Sequence, residues 1–114
     1  MREFIKIMKA LSDPNRVKMI KLLQRKQLCV CEIKEILGLA QSTASKHLKI
    51  LEAAGLVNYT RDGLWVNYYL ADGAESPYAA NMLGNLRHWL EDNDDIIKLV
   101  ARLPEIRREN ICGN

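Results

Sequence analysis

The 114-residue chain is short of aromatics, with one Phe, two Trp and four Tyr, and holds only three prolines, three cysteines and two histidines. No apolar run approaches the ~18–20 residues that a membrane-spanning helix needs, so no span is expected. Three cysteines are poor material for the disulfide framework of a small secreted domain. They fit thiolate chemistry in a reducing compartment better. The start, Met1-Arg2-Glu3-Phe4, carries an early acid and no uninterrupted apolar stretch, so no signal peptide is expected and a cytoplasmic location follows. Repeats, low-complexity tracts and long linkers are missing too. What is present is an ordinary globular mix, 48% hydrophobic and 27% charged. It suits one domain over residues 1–114 with a radius of about 13 Å.

Charge is unevenly placed. Residues 1–73 carry 12 Lys and Arg against 7 Asp and Glu, whereas residues 74–114 carry 5 against 7. A basic front suits a polyanionic partner such as nucleic acid, although a solvated face gives the same imbalance.

Hydrophobic spacing divides the chain into elements. Phe4, Met8 and Leu11, flanked by Ile5 and Ile7, predict a helix over 2–11. Asp13 can cap the next helix with Pro14 at its first position, and that helix runs to about Arg25 on Val17, Ile20 and Leu23. A short third helix over about 29–37 uses Val30, Ile33 and Leu37 and ends at Gly38. A fourth, about 41–54, buries Ala44, Leu48 and Leu51 and closes at Gly55. The period then changes to two in Val57 and Tyr59, and again in Val66, Tyr68 and Leu70. Asp62-Gly63 between them signals a hairpin turn. Helical spacing returns from Pro77 in Leu83, Leu86 and Leu90, then in Ile97, Val100 and Leu103. This order is that of a winged helix-turn-helix, mainly α with a β-hairpin wing: 29–54 the helix-turn-helix, 56–71 the wing, 104–114 a tail.

In such a fold the fourth helix enters the DNA major groove by its N-terminal residues. Here these are Gln41, Ser42, Thr43, Ser45 and Lys46, with His47 and Lys49 following on the same helix. Gln pairs with adenine in two hydrogen bonds, Ser and Thr reach bases or phosphates, and Lys reaches guanine or phosphate. Arg61 near the hairpin tip suits the phosphate backbone or the adjacent minor groove. The plainer alternative is a wet polar helix face, or a winged helix that docks protein only. Phe4, Ile5 and Met8 at the front, with Leu83, Leu86, Leu90, Ile97 and Val100 at the back, exceed what a small core can cover. They predict dimerisation helices over 1–11 and 77–103, in a two-fold homodimer that sets its two reading helices ~34–36 Å apart. Packing of both sets within one protomer is the alternative.

Cys29 and Cys31 form a Cys-x-Cys pair at the start of the third helix. In a regular helix the first would face inward with Ile33 and Ile36 and the second outward with Glu35, so sharing one ion requires the first turn to open. Arg25 and Lys26 upstream give an electropositive setting that suits thiolate ligands. No Ser, Thr, Asp or Asn stands in the two positions before Cys29, so its sulfur is available as the cap. Thiolates select Cu(I), Cd(II), Zn(II) or trivalent arsenic and antimony. Two sulfurs without a nearby His do not make tetrahedral zinc, and a three-coordinate thiophile matches a three-cysteine inventory. Cys112 in the tail is the remaining third ligand, or else a bystander. His47 reads as a packing or DNA-facing residue, His88 as solitary, and Trp65 and Trp89 as core or interface aromatics. A small thiol reductase is disfavoured, because Cys-x-Cys is not Cys-x-x-Cys and no βαβ pattern or acid–base set surrounds it.

Several stretches together resemble the ArsR/SmtB family of metal-sensing repressors: residues 10–16 (ALSDPNR), 28–33 (LCVCEI), 41–51 (QSTASKHLKIL), 54–57 (AGLV) and 61–68 (RDGLWVNY). The resemblance runs through about residues 5–71, and its Cys-Val-Cys piece is similar to the arsenic-responsive members. It implies a homodimeric repressor that holds operator DNA when metal-free. Trivalent arsenic or antimony, as effector, would bind cysteine thiolates and release the DNA; no organic cofactor is implied. Cys29 and Cys31 match the family's thiolate ligands, and Gln41, Ser42, Ser45 and His47 fall in its reading helix. Lys34 stands where arsenic sensors often carry a third cysteine, and Ala40 replaces a common serine before the reading helix. A same-fold sensor of Cd(II) or Pb(II), helped by Glu32 and Glu35, or of thiol oxidation, is the alternative.

Overall fold

A computed structural model describes residues 1–106. Six helices and a three-stranded sheet follow in the order α1 (Arg2–Ala10), α2 (Pro14–Leu23), β1 (Leu28–Cys29), α3 (Val30–Leu37), α4 (Gln41–Ala53), β2 (Val57–Asp62), β3 (Trp65–Leu70), α5 (Pro77–Leu86) and α6 (Asp94–Arg102). A single 3-10 turn, Leu103–Glu105, ends the described chain. The architecture is a winged helix-turn-helix, and the radius of gyration is 13.7 Å.

Local chemistry accounts for most boundaries. Asp13 caps α2, accepting the N–H groups of Asn15 at 2.8 Å and Arg16 at 3.2 Å, with Pro14 where no N–H is needed. Gly38, in the left-handed region at φ 69°, closes α3 and sets the tight turn into α4. The wing hairpin pairs Asp62 with Trp65, so its two-residue loop is Gly63-Leu64. Gly63 sits at φ 63° in the first loop position, as a type II′ turn requires. The Asp-Gly signal therefore located the hairpin one residue early, and Leu64, 90% exposed, forms its tip.

The core lies where α2, α3, α4 and the inner ends of the strands meet. Met19, Ile20, Leu22 and Leu23 of α2 are all buried, together with Ile33 and Ile36 of α3, Leu48 and Leu51 of α4, and Leu56, Val57 and Tyr68. Truncating a leucine such as Leu48 to alanine at such a site costs about 2–5 kcal/mol. The face of α4 opposite solvent is thus fixed against the core.

Three features depart from the expected pattern. The third helix begins at Val30, not Cys29, because Leu28 and Cys29 are drawn into a short strand against β3. The helix from Pro77 stops at Leu86 and does not reach Leu90, which lies in the following turn at φ 65°. Its open end is occupied from outside the helix. Lys21 is only 1% exposed, and its Nζ donates to the Leu86 carbonyl at 2.6 Å and the Trp89 carbonyl at 2.9 Å. The same ammonium meets Glu91 at 2.7 Å. Finally, α6 packs on α2 and α3 of its own protomer, burying Ile96 and half-burying Leu99 and Val100.

Candidate nucleic-acid interface and thiol site

The N-terminus of α4 is bare of local capping. Ala40 is its N-cap in extended conformation and offers no side-chain acceptor, so the first N–H groups of the helix lack a capping side chain. Gln41, Ser42 and Thr43 are exposed there, Lys46 and Lys49 lie exposed further along, and Ser45 is half-buried. Open N–H groups, short hydroxyls and two ammonium groups on one helix start form a surface suited to phosphate and base edges. Arg61, also exposed, lies on β2 opposite Val66. Its charge reaches Tyr68 of β3, lowering a phenol pKa that burial chiefly raises, with Glu52 and Tyr59 raising it further.

His47 is placed differently from its neighbours. It is half-buried, and its Nδ1 lies 3.1 Å from Nη1 of Arg16 on α2. A guanidinium only donates, so Nδ1 is the acceptor in this contact. The same Arg16 donates through Nε to the Ala10 carbonyl at 2.7 Å and through Nη2 to the Lys9 carbonyl at 3.2 Å. One side chain therefore ties the end of α1 to the middle of the recognition helix. The sequence signal for this was weak, since Arg16 and His47 are 31 positions apart.

The thiol site stands at a junction of three elements. Cys29 is buried and ends β1, where Leu28 faces Tyr68 and Cys29 faces Asn67 on β3. It is also the N-cap of α3, in extended conformation at φ −85° and ψ 167°. Cys31, at the second position of the helix, is half-buried. The two are thus not residues i and i+2 of one regular helix. The first already lies outside the helix, which lessens the unwinding needed to bring both sulfurs to one ion. Glu32 completes a capping box: its Oε1 accepts the Cys29 N–H at 2.9 Å, while the Cys29 side chain is turned to the Glu32 N–H. That carboxylate, considered above as a possible oxygen ligand, is already engaged, and its signature in the sequence is the acid three residues after the cap. Glu35 is exposed. Cys112 lies outside the described residues. Among the described residues no group of three or more His, Cys, Asp or Glu is arranged to hold a metal ion. His88 is exposed, as is Trp89, while Trp65 is half-buried.

The apolar residues expected at a dimer interface divide into two sets. Leu83 and Leu86 are buried within the protomer, and Met8 and Val100 are half-buried. Phe4, Ile5, Leu90 and Ile97 remain exposed. Phe4 of α1 makes an edge-to-face contact with Tyr78 of α5, their ring centroids 5.5 Å apart, so α1 and α5 present a joint apolar surface. Among the described residues no helix is long and apolar enough to cross a membrane.

Comparison with known proteins agrees with this geometry. The family profile described as bacterial regulatory protein, arsR family, matches residues 13–59, from the cap of α2 into β2. The arsenical resistance operon repressor of Bacillus subtilis (strain 168) is 41% identical over 73 residues, 63% of this chain and 70% of that protein. A cadmium resistance transcriptional regulatory protein CadC homolog of Staphylococcus aureus is 41% identical over 68 residues. That match takes in 59% of this chain and 56% of the relative, so the chain spans little more than half of that protein's length. Among solved structures, the homodimeric winged helix-turn-helix DNA-binding domain Mb0332 of Mycobacterium bovis superposes with a TM-score of 0.65 at 26% identity, covering 75% of this chain and 76% of that one. The chain belongs to the ArsR/SmtB family of winged helix-turn-helix transcriptional regulators, DNA-binding proteins rather than enzymes.

Proposed function

We propose that the protein is a transcriptional repressor that binds operator DNA as a homodimer and is released by trivalent arsenic or antimony held on Cys29 and Cys31. The observation that carries the reading is the position of Cys29. Its sulfur belongs at once to the last residue of β1 and to the cap of the helix that precedes the recognition helix. A ligand held there acts directly on both DNA-facing elements. The donor set suits a thiophile of low coordination number: two thiols, with the neighbouring Glu32 carboxylate already taken by the Cys29 N–H. The 41%-identical arsenical resistance repressor points the same way.

Each thiol that joins As(OH)3 displaces one hydroxide and gives up its proton, releasing one water per As–S bond. Two thiols leave one hydroxide on arsenic, and a third removes it. Cys112 is the proposed third donor. Arg102 of α6 donates to the Ile36 carbonyl at 2.8 Å, which brings the end of α6 to α3. Gln41, Ser42, Thr43, Ser45, Lys46, Lys49 and Arg61 are the proposed DNA contacts, with His47 positioning the helix through Arg16. Phe4, Ile5, Leu90 and Ile97 are the exposed part of the proposed dimer surface.

The test uses a duplex selected by the protein from a randomised library. Cys29→Ser and Cys31→Ser should bind this duplex like the wild type yet keep it when arsenite is added. Release of either variant at wild-type arsenite concentrations would refute the site. Release by cadmium with none by arsenite would move the assignment to the cadmium reading, which the Staphylococcus aureus relative represents.

A further inference from the structure

Glu32 has no part in ligand binding as proposed, yet it is 6% exposed and hydrogen-bonded through Oε1. Its carboxylate holds the Cys29 N–H at 2.9 Å, and Cys29 in turn is the last residue of β1. In the sheet β1 lies next to β3, and β3 next to β2, the order being β1-β3-β2. A single carboxylate therefore ties the first turn of α3 to β1, which in turn pairs with β3, the central strand of the sheet. The capping box also directs the Cys29 side chain at the Glu32 N–H. An ion shared with Cys31 would draw the Cys29 sulfur toward the second helical position, in competition with that cap.

We infer that Glu32 is a positioning residue, a latch that keeps residues 28–32 in the DNA-binding arrangement and opens when Cys29 and Cys31 take up a thiophilic ion. Its opening releases the Cys29 N–H from the first turn of α3 and loosens the β1–β3 pairing at Asn67, so the signal reaches the wing as well as the recognition helix. This inference rests on the assignment of Cys29 and Cys31 as effector ligands. It adds to that assignment the residue that links their occupancy to DNA.

Binding linkage makes the latch measurable. Removing it places the metal-free protein part of the way toward the released state, so DNA binding weakens and arsenite binding tightens, both through the same equilibrium. Glu32→Ala should lower metal-free DNA affinity by about 5-fold or more, within the usual range of allosteric coupling, and raise arsenite affinity in the absence of DNA. Glu32→Gln, whose amide oxygen can accept the same N–H, should restore both. A residue that merely supports the fold would weaken DNA binding without tightening arsenite. Hydrogen exchange of the wild type gives a reading that needs no variant. Added arsenite should speed exchange in residues 65–70, and Glu32→Ala should do so without arsenite. The latch is overturned if the wild type takes arsenite and releases DNA while exchange at 65–70 is unchanged, or if Glu32→Ala leaves arsenite affinity as it was. If the wild type takes no arsenite at all, the ligand assignment fails first, and the signalling role of Glu32 with it.

Discussion

Lys21→Met tests how the recognition domain is joined to the helices behind it. Methionine keeps most of the apolar stem in its buried slot and removes only the ammonium. The Leu86 carbonyl then loses a buried hydrogen bond and the Trp89 carbonyl a partly buried one. A buried acceptor left without a donor costs about 1–3 kcal/mol, and the second carbonyl, closer to water, falls at the low end. Glu91 adds little to this sum, since its side chain is 42% exposed and returns to water. The expected loss is about 2–3 kcal/mol, or roughly 8–13 °C in Tm for a domain of this size. Urea unfolding at fixed protein concentration reads it, as a lower midpoint with an unchanged slope. A loss under about 0.5 kcal/mol would show that Lys21 does not hold the end of α5, and the account of why that helix stops at Leu86 would fall with it.

Three further outcomes follow from individual contacts. The Lys21 hydrogen bond holds the Glu91 carboxyl below its ordinary value of 4.5 against an opposing desolvation, helped by the charges of Lys21 and Arg25 and by an Arg25 hydrogen bond. A depressed folded-state value means that its stabilisation is complete above about pH 4.5 and is lost as the pH falls through the folded value. Urea midpoints of Glu91→Gln should therefore decline less steeply than wild type between about pH 5 and pH 3, and parallel curves would contradict the pairing. Asp13→Ala removes the acceptor of two N–H groups at the start of α2 and should cost about 1 kcal/mol by the same unfolding assay, with no change expected if water replaces the cap fully. Lys46→Gln and Lys49→Gln should each flatten the dependence of DNA affinity on salt, by about one unit of log–log slope for each phosphate contact removed. A slope that does not move would take the affected lysine off the phosphate backbone.

Local chemistry made much of the fold legible in advance. Asp13-Pro14 marks the start of α2, Gly38 the end of α3, and the switch from period 3.6 to period 2 after Gly55 marks the wing. Each acts on residues a few positions away. What escaped depends on distant partners. Leu28-Cys29 is too short for any periodicity, and becomes a strand only because Asn67 and Tyr68 lie beside it. Lys21 reads as an ordinary polar position in α2, yet its partners are carbonyls 65 and 68 residues away. The stop at Leu86 was hidden for the same reason, since the group that occupies that helix end comes from α2. In the site, the cysteine spacing was legible, and so was the sulfur's availability as a cap. The division of the pair between strand end and helix was not, because it requires knowing β1.

Uptake of arsenic by the two thiols is the central claim, and native mass spectrometry of the fully reduced protein titrated with arsenite, cadmium and zinc in turn tests it without any knowledge of the operator. The account predicts a dimer that takes one arsenic per subunit. Loss of three thiol protons per arsenic with no retained hydroxide would bring in Cys112, and loss of two with one hydroxide would leave Cys29 and Cys31 alone. A dimer that takes no arsenic, whether or not it binds cadmium, would contradict the account.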